Sequence, residues 1–336
     1  MAAEALDYDL DGHQVRLTSP TKEYFPGVAT KADIADYLVA VAPQMLQTLG
    51  GRPTTMERWP GGIEGEPFYQ KRTPRGAPEW FPRATITFPS GRTAETLAPD
   101  SAACLVWMAN LGTLRFHAWP VHAPETDVVD ELRLDLDPQP GTDHRDAARA
   151  ALELREVLAE AGLTGFCKTS GGRGMHVYVP VKPLDFIDAR HAVIALGREL
   201  ARRLPDEVTV NWWKEERGAR VFVDFNQMAR DRLMASAFSI RPVPNARVST
   251  PLTWDEVGKV SPDDFTVLSV PTRLERVGDV WAGYAEAVAD ASTALAWYER
   301  DADNGQGEMP YPPEYPKMPG EPPRVQPSRA RHRPEG

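Results

Sequence analysis

A short glycine turn between two strand-like segments is the feature that most constrains the fold of this chain. Residues 164–169 before the turn and residues 175–181 after it are both predicted to be β-strands. The connecting residues, 170–174, are too few for a crossover helix, so the two strands must pair antiparallel. This disfavours a doubly wound parallel sheet in the centre of the chain.

The elements around this hairpin predict the fold class. Before it come a predicted strand over 131–137 and a helix over 142–161; after it come a helix over 188–204 and a strand over 220–225. The order strand, helix, hairpin, helix, strand is typical of an α+β fold. In such a fold a mixed or antiparallel sheet carries its helices on one face.

The regions before and after this core are predicted to pack against it or to extend from it. Residues from about 1 to 100 are predicted to form an N-terminal subregion with a helix over 30–49. They are expected to pack against a core from about 101 to 303 without a second independent domain. Residues 304–336 are too rich in proline for helix or inner strand, which predicts an extended strap and a basic tail. Little is expected to anchor the tail's arginines, which are Arg324, Arg329, Arg331 and Arg333.

Composition excludes several classes of protein. The 336 residues include only two cysteines and no apolar run of the ~20 residues that a membrane span needs. This argues against a disulfide scaffold, a structural zinc site and a membrane protein. The acidic N-terminus is unlike a signal peptide, so a cytoplasmic protein is expected. A net charge of −10 disfavours a nucleic-acid coating protein but permits a local basic groove.

Three aspartates are candidate metal ligands. Asp135 and Asp137 alternate with Leu134 and Leu136, so both acids should project from one face of the predicted strand while the leucines enter the core. Paired carboxylates can bind hard cations such as Mg²⁺ or Mn²⁺. From these residues alone, a solvated strand end is an equal alternative. Asp224 ends another strand and could join the pair, although singly it would be a capping acid.

The glycine turn is a candidate phosphate site. Its glycines at 171, 172 and 174 let backbone N–H groups approach an anion, Ser170 and Arg173 add donors, and His176 begins the next strand. The pattern favours polyphosphate binding, although it is not a Walker loop, because the Gly-Lys-Ser/Thr ending is missing. The alternative is a hairpin whose glycines only make the turn.

Acids, arginines and a phosphate loop together favour metal-dependent phosphoryl chemistry. Arg217, Arg230 and Arg241 lie around the third aspartate in the sequence. Nucleotidyl transfer by two metal ions ~3.5–4 Å apart requires such a set. A metal-dependent nuclease could use the same acids, although a hydrolase has less need of a triphosphate loop.

These blocks resemble motifs I, II and III of the archaeo-eukaryotic primase superfamily and, more narrowly, the polymerase domain of bacterial ligase D, an end-joining polymerase. Further segments match that family's pattern: 51–53, 66–71, 105–111, 116–119 and 249–257. The resemblance covers residues from about 15 to 300. It implies a primase-like core with an RRM-like sheet.

The resemblance also implies a nucleotide site. Two Mn²⁺ or Mg²⁺ ions would be bound by Asp135, Asp137 and Asp224. An incoming ribonucleoside or deoxyribonucleoside triphosphate would be contacted by His117, Ser170, Arg173, His176, Gln227 and Arg241. The alternative for His117 is a packed histidine beside Trp119.

A DNA-binding surface is implied in the same way. Lys22 and Lys31 would hold the 5′-phosphate of gapped or broken DNA, and Phe68 and Tyr69 would stack on the template strand, a contact that tolerates any base. The alternatives are that the two lysines are ordinary solvated charges and that Phe68 lies in the core.

The chain departs from the family pattern at three positions. Glu57 stands where many relatives have lysine, Val243 where they often have a second arginine, and Arg173 where lysine is common. Arg247 does not match the position of the missing arginine. We therefore expect altered nucleotide affinity or preference.

The function implied by the resemblance is template-directed DNA or RNA nucleotidyl transfer that fills short gaps or extends broken ends in non-homologous end joining. The chain has no Lys-x-Asp-Gly ligase signature, so a separate ATP-dependent DNA ligase and a Ku-like protein are expected as partners. A catalytically impaired module that only binds 5′-phosphorylated ends is the non-enzymatic alternative.

Overall fold

The computed structural model describes residues 4–325, and the central sheet confirms the predicted α+β class. Its strands are β10 (Val129–Pro138), β11 (Phe166–Thr169), β12 (Met175–Leu184), β13 (Val208–Thr209) and β14 (Val221–Val223). They lie in the order β11-β12-β10-β14-β13. All neighbours pair antiparallel except β13 and β14, which are parallel, so the sheet is mixed.

Two helices cover one face of this sheet. They are α3 (His144–Glu160) and α4 (Phe186–Arg203), and both pack on β10. Alternation along β10 turns Leu132, Leu134 and Leu136 toward them, and all three leucines are fully buried. The opposite face of the sheet therefore carries Asp135 and Asp137.

A second sheet lies in the N-terminal part of the chain. Its strands are β5 (Thr54–Arg58), β6 (Phe68–Gln70), β7 (Arg83–Thr87), β8 (Thr93–Leu97) and β9 (Thr113–Ala118). The order is β6-β5-β8-β7, with β9 also paired to β5. Strand β9 lies beyond residue 101 in the chain, yet it completes the sheet of the N-terminal subregion and connects it to the core.

Helix α1 (Lys31–Leu49) shows why the N-terminal helix could be predicted. The Thr30 side chain accepts from the Asp33 backbone N–H, and the Asp33 side chain accepts from the Thr30 N–H, which is a capping box. Pro43 lies within the helix. The remaining N-terminal elements are β1 (Ala5–Leu10), β2 (His13–Thr18), β3 (Glu23–Phe25), β4 (Ala29–Thr30) and α2 (Ala102–Asn110).

The described residues of the C-terminal part end in a proline-rich strap. The helices before it are α5 (Lys214–Arg217), α6 (Ser269–Val277) and α7 (Ser292–Asp303). Residues 306–325 contain neither helix nor strand. The prediction that Arg324 lacks an anchor was wrong, because its Nε lies 2.6 Å from Glu321. Arg329, Arg331 and Arg333 lie outside the described residues.

Membrane insertion of a helix finds no support in the part of the chain that the structure describes. None of its helices has both the length and the apolar character that a bilayer crossing requires.

Candidate active site

Strand register brings four chemically active side chains into one row across the central sheet. Lys168 on β11 pairs with His176 on β12, and His176 pairs with Asp135 on β10. Asp224 follows β14, and its backbone N–H donates to the Asp135 carbonyl at 2.9 Å. Directly paired residues share a sheet face, so these side chains lie side by side.

Two of the three predicted acids, Asp135 and Asp224, share one hydrogen-bonding partner in this row. Gln227 Nε2 donates to Asp135 Oδ2 at 3.3 Å and to Asp224 Oδ2 at 3.0 Å, so one amide bridges two carboxylates. Asp137, further along β10, accepts from Gln139 Nε2 at 3.0 Å. Within residues 4–325 no three His, Cys, Asp or Glu side chains are drawn closely enough together to hold a metal ion by themselves.

The environment of Asp135 and Asp224 disfavours their charged forms. Burial raises the pKa of Asp135 well above its ordinary value, and the charges of Asp224 and Asp137 raise it further. Burial also raises the pKa of Asp224. The Gln227 Oε1 atom is buried without a partner. A donor set of carboxylate oxygens beside a partnerless amide oxygen fits Mg²⁺ or Mn²⁺.

Lys168 holds His176 in one orientation. The Lys168 ammonium is fully buried and donates to His176 Nδ1 at 2.8 Å, to the Ala235 carbonyl at 2.9 Å and to Ser249 Oγ at 2.5 Å. Because Nδ1 accepts, the ring hydrogen lies on Nε2, which is 3.5 Å from Asp135 Oδ1. Burial lowers the pKa values of both Lys168 and His176. The histidine is therefore a neutral donor facing the acids.

The glycine turn supports Arg241. Gly171 has a φ of +72°, and a Cβ there would lie 2.6 Å from Arg241 Cγ. A Cβ at Gly172 would lie 2.7 Å from Arg241 Nη2, so the arginine lies against bare backbone. Burial lowers the pKa of Arg241 to about 10, and the charge of Arg115 contributes. The turn thus holds a desolvated cation beside the acids.

A cavity of about 320 Å³ joins the two predicted halves of the site. Its lining includes the acids Asp135 and Asp137 and five groups that can contact phosphate: Arg115, Ser170, Arg173, His176 and Arg241. Carboxylates and cations in one cavity suit a triphosphate carried with divalent ions. The cavity therefore brings together two of the three predicted acids and four of the residues predicted to bind nucleotide, whereas Asp224 and Gln227 are not in its lining.

His117 does not line this cavity in the structure. It is 1% exposed, and its Nε2 lies 2.9 Å from Glu57 Oε2. Glu57 also pairs with Arg115 at 2.8 Å. Although burial opposes it, the hydrogen bond from His117 and the charge of Arg115 lower the pKa of Glu57. Glu57, one of the departures from the family pattern, thus pairs with a cation that lines the cavity.

Sequence reasoning missed Arg115 and the role of Lys168. Arg115 alternates with His117 on β9, so they share a face, and this pattern was available in the sequence. Of the other arginines, Arg230 pairs with Asp127 at 2.7 Å and Arg247 approaches Asp263 at 3.5 Å. Arg217 packs on the Phe222 ring.

Lys22 and Lys31 lie together at the start of α1. The Lys31 backbone N–H donates to the Lys22 carbonyl, and the Lys31 ammonium donates to the Thr18 carbonyl at 2.9 Å and to Asn110 Oδ1 at 2.8 Å. Burial, with the charge of Lys22, lowers the pKa of Lys31 to about 8. The alternative of an ordinary solvated charge is therefore wrong for Lys31.

Phe68 and Tyr69 lie on β6, at the edge of the N-terminal sheet. Their side chains are 43% and 50% exposed, so the alternative that Phe68 belongs to the core is wrong. Phe68 pairs with Arg58, whose guanidinium lies 4.7 Å from the ring centre, whereas Tyr69 pairs with Glu57. Adjacent strand residues point to opposite faces, so the two rings do not form one stacking surface.

Comparison with known proteins agrees with this geometry. Residues 30–281 match the family described as LigD, primase-polymerase domain. The chain is 30% identical over 308 residues to the multifunctional non-homologous end joining protein LigD of Mycolicibacterium smegmatis, covering 90% of this chain and 40% of that protein. It is 32% identical over 314 residues to the Mycobacterium tuberculosis LigD, again covering 40% of the relative. The chain thus spans about two fifths of these relatives.

A solved structure supports the same relationship. The polymerase domain from Mycobacterium tuberculosis ligase D in complex with DNA superposes with a TM-score of 0.75 at 32% identity. The match covers 81% of this chain and 99% of that domain. From the fold, the row of acids and these similarities, we conclude that the chain belongs to the LigD primase-polymerase family.

Proposed function

We propose that this chain is a template-directed nucleotidyltransferase that fills short gaps or extends broken ends during non-homologous end joining. The observation that carries the proposal is that Asp135 and Asp137 line the same cavity as Ser170, Arg173 and Arg241. A nuclease needs the acids, but it has less use for a set of phosphate-binding cations beside them. These cations therefore favour synthesis.

Each residue of the candidate site has a proposed role in the reaction. Asp135, Asp137 and Asp224 would hold two Mn²⁺ or Mg²⁺ ions, which when bound supply Lewis-acid activation of the attacking hydroxyl and charge stabilisation of the departing pyrophosphate. Arg241 and Arg173 orient and neutralise the triphosphate, and Ser170 adds a hydroxyl. His176, held by Lys168, directs its Nε2–H toward the same region. Gln227 fixes Asp135 relative to Asp224.

The DNA is proposed to contact the N-terminal subregion. The Lys22 ammonium donates to the Pro60 carbonyl and lies near enough to the buried Lys31 to lower the pKa of that lysine further, so the two charges suit a 5′-phosphate. The exposed Tyr69 suits the template strand. The solved relative was determined in complex with DNA, which supports DNA as the substrate here. A separate ATP-dependent ligase and a Ku-like protein are proposed as partners.

Primer extension tests the function. The substrate is a gapped duplex with a 5′-phosphate, supplied with Mn²⁺ and labelled ribo- or deoxyribonucleotides. The wild type should extend the primer, Asp137→Ala should not, and Asp206→Ala, at an exposed acid, should behave as wild type. Absence of extension by the wild type under every metal and sugar would refute the proposal.

Nucleotide binding without DNA separates synthesis from hydrolysis. The proposed polymerase should bind a nucleoside triphosphate in a metal-dependent manner, measured by calorimetry. A nuclease would instead cleave the duplex and show no such binding. End binding that depends on the 5′-phosphate, without any extension, would indicate the non-enzymatic module.

A further inference from the structure

The proline-rich strap, residues 306–324, contacts the short turn that carries Asp224 and Gln227. We propose that this strap and the buried Arg190 form a positioning network that fixes Asp224 for metal binding. The inference rests on the proposed function, because it takes Asp224 to be a metal ligand. The strap lies beyond residue 281, where the match to the family ends.

Arg190 is the centre of the network. It lies on α4, is fully buried, and donates from Nη2 to the Met309 and Pro310 carbonyls, each at 3.0 Å. Its Nη1 pairs with Glu308. The guanidinium lies 3.8 Å from the centre of the Tyr311 ring, which belongs to the strap. The strap therefore supplies most of the partners of this buried charge.

Asn226 connects Arg190 and the strap to the candidate metal ligand. Its Oδ1 accepts from Arg190 Nε at 3.1 Å, and its Nδ2 donates to the Pro310 carbonyl at 3.0 Å. Both ends of the amide are therefore fixed. The Asn226 backbone N–H donates to Asp224 Oδ1 at 3.0 Å, while Asp224 Oδ2 receives Gln227. Asn226 is 1% exposed, so loss of either bond would leave a buried polar group unpaired.

The turn has few local contacts that could hold Asp224 without this help. Strand β14 has three residues, and the following 3-10 turn covers only Phe225–Met228. Short 3-10 segments have poor hydrogen-bond geometry and little stability of their own. The backbone of Asp224 is held by its bond to Asp135, and the orientation of its side chain depends on contacts made by Asn226 and Gln227.

The strap is itself ordered by polar contacts. Glu321 accepts the Tyr311 and Met318 backbone N–H groups, both at 2.9 Å, and pairs with Arg324. Trp212 Nε1 donates to the Arg324 carbonyl at 3.0 Å. These contacts close the strap into a compact loop whose inner side is the Met309–Tyr311 segment that contacts Arg190.

Metal binding by the protein without DNA or nucleotide is the decisive measurement. Mn²⁺ is titrated and the free ion is followed by its electron paramagnetic resonance signal. Outer partners of metal ligands typically change metal affinity about 10- to 100-fold, so Asn226→Ala and Arg190→Lys should weaken Mn²⁺ binding about tenfold. Lys317→Ala, in the exposed part of the strap, is the matched control and should bind as wild type.

The outcomes distinguish a positioning role from a purely structural one. Circular dichroism is used to choose a temperature at which each variant is folded. If Arg190→Lys does not fold, the test rests on Asn226→Ala, because that variant keeps the buried ion pair. Folded Asn226→Ala with wild-type Mn²⁺ affinity overturns the inference. Asp224→Asn is measured in parallel: if it also binds as wild type, the proposed role of Asp224 fails, whereas loss confined to Asp224→Asn refutes only the positioning network.

Discussion

The cavity beside the central sheet and the outer edge of the N-terminal sheet are built in opposite ways. At the cavity, His176 is buried and held by a hydrogen bond from the buried Lys168. At the edge, Phe68 and Tyr69 are 43% and 50% exposed on a short strand. Nucleotidyl transfer needs charges fixed in one geometry, whereas stacking on a template must accept any base. The two surfaces therefore predict different responses to substitution.

The largest effect is expected in the cavity, from Asp135→Asn. Loss of a metal ligand should lower the extension rate on the order of 10³-fold, because charge stabilisation of the transition state is lost. Extension assays at saturating Mn²⁺ measure this. A rate within tenfold of wild type would place the catalytic acids elsewhere.

The same variant should be more stable than the metal-free wild type. The pKa of Asp135 is raised on folding, so the folded state binds more protons than the unfolded chain and ionisation destabilises it as pH rises through the folded pKa. The gain in Tm from Asp135→Asn should therefore be full above the folded pKa and disappear below about pH 4, near the ordinary pKa of aspartate. Thermal unfolding across pH measures this, and a gain that grows toward acid would contradict it.

A smaller loss, about 10²-fold in extension rate, is expected for Lys168→Met. Without the Lys168 ammonium, His176 Nδ1 loses its donor and the ring is no longer held as the Nε2–H tautomer. Nitrogen NMR of the histidines should show the tautomer change. Lys182→Met, at an exposed lysine of β12, is the matched control. Loss of activity without a tautomer change would show that the lysine only supports packing.

At the edge of the N-terminal sheet, Tyr69→Ala should weaken template binding by about 1–3 kcal/mol without changing the maximal rate. Phe68→Ala should have a smaller effect, since its ring faces away from Arg115 and His117. Fluorescence anisotropy with gapped DNA, together with the KM for DNA, checks both variants. An equal loss of DNA affinity in the two variants would show that Phe68 and Tyr69 act as one stacking surface.

Substitution of Lys22 or Lys31 should weaken DNA binding modestly and in a manner that depends on pH. Lys22→Ala should weaken binding only to 5′-phosphorylated ends and reduce the salt slope by about one. Since the pKa of Lys31 is lowered to about 8, the preference for the phosphate should decline as pH rises through that value. Lys31→Met should remove this decline. Ends with and without the phosphate, compared from pH 7 to 9, give the measurement.

The smallest effect is expected where the two regions meet. Glu57→Gln removes the charge that pairs with Arg115, so Arg115 should attract the triphosphate more strongly. We expect a few-fold lower nucleotide KM with little change in DNA affinity, as for a single partly exposed ion pair. Steady-state kinetics with varied nucleotide measures this. A higher KM would mean that Glu57 is needed to orient His117.

The sequence was informative where structure is local. Alternation about Leu134 and Leu136 predicted the face of β10, and Thr30 predicted the start of α1. Each depends on residues a few positions apart. The site acids could be proposed for the same reason, because they stand at predicted strand ends.

Long-range packing could not be predicted in this way. The Lys168 ammonium is held by hydrogen bonds to Ala235 and Ser249, which lie far along the chain. The Asn226 side chain is oriented by a hydrogen bond to the strap. In both cases the decisive partner has no sequence spacing that marks it. The missed hairpin of β1 and β2 is different, because its two-residue turn, Asp11-Gly12, is a local signal that was present in the sequence.

The row that joins Lys168, His176 and Asp135 has a consequence for how this protein can change in length. Adding one residue within β11, β12 or β10 would turn every later side chain of that strand to the opposite face. Growth of the surface loops leaves the pairing untouched. A scan of single-residue insertions should therefore find that insertions in the loops keep activity, whereas insertions within these three strands abolish it.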